Sequence, residues 1–291
     1  MTEWTGVRDK RVLITGATRG IGLAAAEGLA RRGARVAIVA RDDARAAEAV
    51  RRIEGAGGSK VDVLHAELTS QASVRGLAAE ALDRYPSIEV LVNNAGATFA
   101  KREITADGIE KTWALNHLAP FLLTTLLLDR LKASAPARII TTTSDAHKGK
   151  LIPFDDMQAE HSYRGRGFTR YGETKLANIL FTVELSRRLE GTGVTAYCFH
   201  PGFVATGFNR NNGALMSAAM MMLAPFSRKP RKAAQTLIWL ADSQDVSKQS
   251  GGYYVNKARA VTSRPAQDPA VARRLWEVSE EQVRPLSVRG A

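Results

Sequence analysis

Apolar residues in this chain fall into short β-rich runs separated by longer segments of helical periodicity. The first run, residues 11–15 (Arg-Val-Leu-Ile-Thr), ends at Gly16, and Gly20-Ile21-Gly22 then opens an alanine-rich helix that Gly33 stops. A second run over residues 34–40 completes a unit of strand, glycine turn, helix and strand. Further runs at 60–65, 88–93, 137–143 and 193–199 alternate with helical segments near 42–55, 70–85, 105–133 and 170–190. A last strand near 252–255 precedes a terminal helix containing Ala272-Arg273-Arg274-Leu275-Trp276. Alternation of this kind predicts an α/β protein, a doubly wound parallel sheet with helices on both faces. Neither an internal repeat nor a low-complexity linker divides the sequence, so residues 1–291 are expected to form a single domain.

Composition narrows the partners. The 291 residues are 45% hydrophobic and 24% charged, which is globular usage. Lys and Arg outnumber Asp and Glu by 41 to 29, and a net charge of +12 points to an anionic partner such as nucleic acid, a membrane surface or a phosphorylated cofactor. The basic residues are dispersed, with pairs such as Arg31-Arg32, Arg51-Arg52, Arg187-Arg188 and Arg273-Arg274 on expected helix faces, and no nucleic-acid-binding signature accompanies them. Nucleic acid is therefore excluded as the main partner, and membrane contact is expected to be weak and peripheral at most. The single cysteine, Cys198, rules out an intrachain disulfide and fits a reducing compartment. The five histidines lack zinc-type spacing, so no metal is expected. Without an apolar stretch approaching the roughly 18 residues needed to cross a bilayer, the protein is expected to be soluble and cytoplasmic.

Two stretches carry chemistry. Gly16 permits a tight exit from the first strand, and Gly20 and Gly22 let backbone approach a pyrophosphate at a helix N-terminus, where N–H groups and the helix dipole favour an anion. Later in the chain, Tyr171-Gly172-Glu173-Thr174-Lys175 opens the helical run Leu176-Ala177-Asn178-Ile179-Leu180-Phe181. Residues at i and i+4 share a helix face, so a phenol and an ammonium are presented side by side. A nearby cation favours the phenolate and is expected to lower the tyrosine pKa from about 10 toward the range of useful proton exchange.

Taken together, Thr15-Gly16-Ala17-Thr18-Arg19-Gly20-Ile21-Gly22, Asn93-Asn94-Ala95-Gly96, Ser144, Tyr171 with Lys175, and His200-Pro201-Gly202 with Thr206 beyond it resemble the ordered signatures of the short-chain dehydrogenase/reductase family. Asn116, in Leu115-Asn116-His117, sits where that family keeps a helix asparagine. A narrower resemblance is to the branch holding retinol dehydrogenases and the WW-domain oxidoreductase. It rests on Asn116-His117-Leu118, Ser134-Ala135-Pro136-Ala137-Arg138-Ile139, Lys175-Leu176-Ala177-Asn178, Arg188-Leu189-Glu190-Gly191-Thr192-Gly193-Val194 and Arg274-Leu275-Trp276-Glu277-Val278-Ser279.

The resemblance implies a Rossmann-type sheet of about seven strands and an enzyme that exchanges a hydride between a nicotinamide cofactor and an alcohol or carbonyl. It implies Tyr171 as general acid or base, Lys175 as its tuner and ribose ligand, and Ser144 as hydrogen-bond donor to the substrate oxygen. Asn116 would hold a relay water. Cofactor contacts are expected from Gly16, Thr18, Arg19, Gly20, Ile21, Gly22, Arg41, Glu67, Leu68, Asn93, Ala95, Gly96, Tyr171, Lys175, Pro201, Gly202 and Thr206. NAD-using relatives commonly end the second strand in an aspartate, whereas here Ala40 is followed by Arg41, with Arg19 in the glycine loop. Guanidiniums there favour the 2′-phosphate of NADP(H) over NAD(H), unless Asp42 swings into the ribose site or Arg41 only caps the next helix. Between Thr206 and Pro230 lie Met216, Met220, Met221 and Met222, which suggest a substrate lid near 207–230 for a bulky apolar alcohol or carbonyl of retinoid, steroid or polyketide type. An ordinary core helix, or an interfacial helix resting on a membrane, would also fit that segment. Two other readings stay open: a cofactor-sensing regulator, which need not keep Tyr171, Lys175, Ser144 and Asn116, and an epimerase or dehydratase, whose relatives differ in glycine spacing. A homo-oligomer is compatible with all of these.

Overall fold

The computed structural model describes residues 3–57, 59–202, 228–246 and 249–285. The apolar runs become strands β1 (Arg11–Thr15), β2 (Arg35–Ala40), β3 (Asp62–His65), β4 (Val90–Asn93), β5 (Ala137–Thr142), β6 (Val194–His200) and β7 (Gly252–Val255). A two-residue strand, β8 (Ala258–Arg259), is added beyond the expected seven and pairs antiparallel to β7. The sheet order is β3-β2-β1-β4-β5-β6-β7-β8, with every pairing before the last parallel. The order reverses between β1 and β4, and the crevice beyond the carboxyl ends of the strands at that point is where such sheets take ligands.

Side chains alternate along each strand, so the sheet feeds two cores. Leu13, Ala37, Leu91, Ile139 and Cys198 face one, shared with helices α3 (Gln71–Arg84), α5 (Ala119–Ala133), α6 (Phe168–Arg188) and α8 (Pro269–Val283). Val12, Ile14, Ile38, Val92 and Ile140 face the other, under α1 (Gly20–Ala30), α2 (Asp43–Gly57) and α7 (Gln235–Asp242). Among the described residues, no helix is long and apolar enough to cross a membrane.

The continuous helix expected over 105–133 is broken. A bridge pairs Ile104 with Glu110, and the Glu110 carboxylate accepts from the Thr112 and Trp113 N–H groups at 2.8 and 2.9 Å, starting a short helix α4 (Lys111–Trp113). A π-helical turn, Ala114–Leu118, follows before α5. Pro120 supplies a reason: it has no N–H to give the carbonyl four residues back, that of Asn116, and its ring crowds that carbonyl. The ladder shifts to Ala119 N–H on the Ala114 carbonyl, and the Asn116 carbonyl accepts instead from Asn178 Nδ2 on α6 at 2.9 Å. π-turns of this kind are frequent at functional sites.

Beneath this turn, α5, α6 and α8 meet in an aromatic cluster. The Trp276 ring lies 4.9 Å from Phe121 and 5.8 Å from Phe181, stacked on the latter. Trp276→Ala is expected to cost about 3 kcal/mol or more, the usual loss for a buried aromatic, measured as a lowered urea midpoint with unchanged slope.

Candidate active site

The glycine loop and the β4 turn are built as one unit. Thr15 Oγ1 accepts from the N–H groups of Asn94 and Ala95 at 3.0 and 3.1 Å, while Asn94 Nδ2 donates to the carbonyls of Thr15 and Gly16, both at 3.1 Å. A Cβ on Gly22 would sit 2.3 Å from the Gly16 carbonyl oxygen and 2.5 Å from Asn94 Nδ2, so only glycine allows the turn to close. The first turn of α1 carries no acidic side chain, leaving its N–H groups to an anion. From here a cleft of about 890 Å³ runs across the strand ends toward α6. Its glycine cradle, helix N-terminus and volume fit a nicotinamide dinucleotide.

Arg19, Arg41 and Arg45 line the β2 end of the cleft. Arg45, one helical turn beyond Arg41, was not anticipated, although that spacing is its signal. Arg41 Nη1 lies 2.9 Å from Glu67 Oε2 across the cleft rim, and Glu67 Oε1 accepts from Thr69 N–H at 3.0 Å. Glu67 thus engages Arg41. Its carboxyl is held below the ordinary value by these partners against the opposing effect of burial. Asp42 Oδ1 accepts from the Arg45 N–H at 2.8 Å, so its carboxylate is occupied at the start of α2.

Gly16, Thr18, Gly20, Ile21, Gly22, Leu68, Ala95, Gly96, Pro201 and Gly202 also line the cleft. Asn93 does not: it is buried, and its Nδ2 donates to Thr124 Oγ1 at 2.9 Å on the α5 side. Its neighbour Asn94 lines the cleft instead, because successive strand residues point to opposite faces. Thr206 and most of the 207–230 segment lie outside the described residues.

At the α6 end the structure brings Ser144, Tyr171, Lys175 and Asn116 together. Ser144 follows β5, its backbone extended, and its Oγ accepts from Ala146 N–H at 3.2 Å, capping the turn Asp145–His147. That turn packs on α6 so tightly that a Cβ on Gly172 would stand 2.5 Å from the Ala146 carbonyl oxygen. Thr143 Oγ1 donates to the Lys175 carbonyl at 2.7 Å, a second tie between the serine turn and α6. Lys175 Nζ donates to the Thr142 carbonyl at 3.1 Å and sits 5.3 Å from the centre of the Tyr171 ring.

Asn116 is fully buried in the π-turn. Its Oδ1 accepts from Ala97 N–H at 2.9 Å, its Nδ2 donates to the Ala97 carbonyl at 2.9 Å, and it lies behind Gly96, whose added Cβ would be 3.2 Å from Oδ1 and 3.5 Å from Lys175 Nζ. Asn178, three residues after Lys175 and not among the expected site residues, donates to the Asn116 carbonyl and, at 3.4 Å, to that of Thr142.

The electrostatics differ from the expected lowering of the tyrosine. Burial pushes the Tyr171 phenol up to about 12, against a hydrogen bond with Ser144, and burial pulls the Lys175 ammonium down to about 8. In the protein interior each group disfavours its charged form, and the ammonium lies beside the ring while donating to a carbonyl on β5.

A nucleotide cleft at the switch point of a doubly wound sheet, with this side-chain group at its end, defines a pyridine-nucleotide oxidoreductase. The model of short chain dehydrogenases matches residues 10–216, and the chain belongs to that family, as an NAD(P)-dependent short-chain alcohol dehydrogenase or reductase of the retinol dehydrogenase-like branch. It is 43% identical to retinol dehydrogenase 14 of Mus musculus, over 95% of this chain and 86% of that protein. It is 38% identical to a Streptomyces sp. (strain C5) protein named as a candidate daunorubicin C-13 ketoreductase, over 97% and 95% of the two chains. Among solved structures, a Pseudomonas aeruginosa RhlG/NADP active-site complex superposes with a TM-score of 0.68 at 28% identity, over 87% of this chain and 96% of that one.

The Lys175 shift has a stability consequence. Its pKa is about 8 when folded and about 10.4 unfolded, so the unfolded chain binds more protons between these values and stability rises with pH across that window. Lys175→Met removes the desolvated charge. At pH 7 it is expected to unfold at higher denaturant than wild type, with the gap closing between pH 8 and pH 10.5, as read from urea midpoints across that range.

Proposed function

We propose that this protein is an NADP(H)-dependent oxidoreductase that transfers a hydride between the nicotinamide and the alcohol or carbonyl carbon of a bulky apolar substrate. The observation that carries this reading is the pairing of the Tyr171–Ser144–Lys175 group at one end of the cleft with Arg19, Arg41 and Arg45 at the other. The cofactor, when bound, supplies or takes up the hydride. Everything else falls to the chain. The glycine loop and α1 receive the pyrophosphate, and the arginines receive the 2′-phosphate, for which a guanidinium fork is suited.

Tyr171 gives its phenolic proton to the substrate oxygen during reduction, and its elevated pKa keeps it protonated and ready to do so at neutral pH. Ser144 donates to the same oxygen as charge develops there. Lys175, protonated below about pH 8, stabilises the tyrosinate left behind. Asn116 and Asn178 hold the backbone around Lys175.

The cleft lining near the catalytic group mixes apolar side chains with Lys111, Asp145 and His200. Phe99, Leu115 and Phe168 are its apolar part, and Phe168 is 44% exposed. A retinoid-, steroid- or polyketide-like ring system suits such walls, and retinol and daunorubicin are the compounds named for the relatives. The proposed lid near 207–230 and the single-domain organisation of residues 1–291 rest on the sequence. A cytoplasmic setting is favoured by the buried free thiol of Cys198.

Two experiments test the reading. Tyr171→Phe is expected to slow single-turnover reduction of an apolar ketone on the order of 10²–10⁴-fold while the cofactor still binds, and a rate near wild type would defeat the assignment. In Arg41→Ala, titration of each cofactor by fluorescence is expected to show a larger loss of affinity for NADP(H) than for NAD(H). Equal losses would contradict recognition of the 2′-phosphate.

A further inference from the structure

The turn that carries Ser144 is fastened on its far side by a histidine. His147 closes the turn Asp145–His147 and is fully buried. Its Nδ1 lies 2.7 Å from the Ser144 carbonyl oxygen and its Nε2 lies 3.2 Å from the backbone nitrogen of Ser263. A carbonyl only accepts, so Nδ1 carries the proton. A backbone N–H only donates, so Nε2 is bare. The two contacts together define a neutral imidazole in one tautomer. Ser263 lies just before the short helix Arg264–Gln267, 116 residues along the chain from the histidine.

The same turn is held from β7. Tyr253 packs edge-on against the His147 ring at 5.4 Å, and its hydroxyl donates to Asp145 Oδ1 at 2.7 Å. The charged and titratable groups around the imidazole are Asp145 and Lys148 on its own turn, His200 at the end of β6 and Tyr253 on β7. Burial holds the His147 pKa below its ordinary value, with the Ser144 carbonyl and Asp145 opposing.

We propose that His147 is a positioning residue for Ser144, locking the serine turn to the carboxyl-terminal segment at Ser263, and that only its neutral form does so. A second proton would place an Nε2–H against the Ser263 N–H, two donors facing one another, and the lock would open. The consequence falls on the hydroxyl of Ser144, whose direction toward the Tyr171 phenol is set by this turn. The inference rests on the assignment of Ser144 to the substrate oxygen, and the test separates the two.

Single-turnover reduction is compared in wild type, His147→Ala, His147→Asn, Ser144→Ala and the double variant Ser144→Ala/His147→Asn, with NADP(H) affinity read by fluorescence titration. Asparagine keeps a donor near the Nδ1 position, cannot reach Ser263 and does not titrate. His147→Ala is expected to lose about tenfold or more in rate, within the ~100-fold that a 1 Å misplacement costs, and His147→Asn to recover part of it. Should His147→Ala fail to fold, His147→Asn alone decides. Cofactor affinity should stay within about twofold in His147→Asn, since the loss belongs to the transition state.

If His147 acts through Ser144, the effect of His147→Asn nearly vanishes once Ser144 is alanine. The wild-type rate should also show an acid limb lying below the ordinary histidine value of about 6.5, in the direction burial shifts the imidazole, and His147→Asn should lack that limb. An equal loss from His147→Asn in both backgrounds, or an unchanged acid limb in that variant, overturns the positioning role. Wild-type rates in His147→Asn beside a slow Ser144→Ala overturn it alone. A fast Ser144→Ala overturns the role of Ser144 and this inference with it.

Discussion

The constraint on which this active site depends is the close contact between α6 and the turn that follows β5. Gly172, between Tyr171 and Glu173, lets the Ala146 carbonyl come where a methyl group would stand, and Thr143 ties the same turn to the Lys175 carbonyl. Together they fix the distance from a helix to a strand end, which is the distance from Tyr171 and Lys175 to Ser144. A side chain at position 172 would push the two apart although it touches neither substrate nor cofactor. Proximity of this kind is worth many kcal/mol in a reaction that needs a proton donor and a hydrogen-bond donor on one oxygen.

Desolvation sets the state of the groups once they are together. Both Tyr171 and Lys175 shift toward their neutral forms, in opposite directions on the pH scale, since burial disfavours charge of either sign. The site is therefore poised with its acid protonated and with a lysine whose charge is easily lost. The opposite end of the cleft follows different physics: Arg41 is exposed and its partner Glu67 half-buried, and surface pairs of that kind contribute little to stability. Their value lies in ligand discrimination, where a guanidinium meets a phosphate.

The π-turn ties the buried end of the cleft to the backbone. Pro120 withholds the N–H that would bind the Asn116 carbonyl, and Asn178 fills that bond from α6. A helix irregularity is thereby converted into a fixed bracket behind Lys175. The same residues are part of the aromatic and polar packing that includes His117, Phe121 and Trp276, so the bracket belongs to the core rather than to a surface loop.

The sequence by itself determined the alternation of strands and helices, the glycine turn and the Tyr171–Lys175 pair, because these are periodic or local signals: side-chain spacing of 2 or 3.6 residues and backbone freedom at named glycines. It also marked Arg19 and Arg41, since the end of β2 is readable from the pattern. What it missed depends on contacts distant in sequence. The break before α5 depends on a proline whose lost hydrogen bond is replaced 62 residues away. The inward turn of Asn93, the engagement of Arg41 by Glu67 and the direction of the Tyr171 shift depend on which neighbours surround each group and how much water they exclude. Only tertiary structure decides those, because desolvation and hydrogen-bond pairing are properties of a packed environment and have no counterpart in residue order.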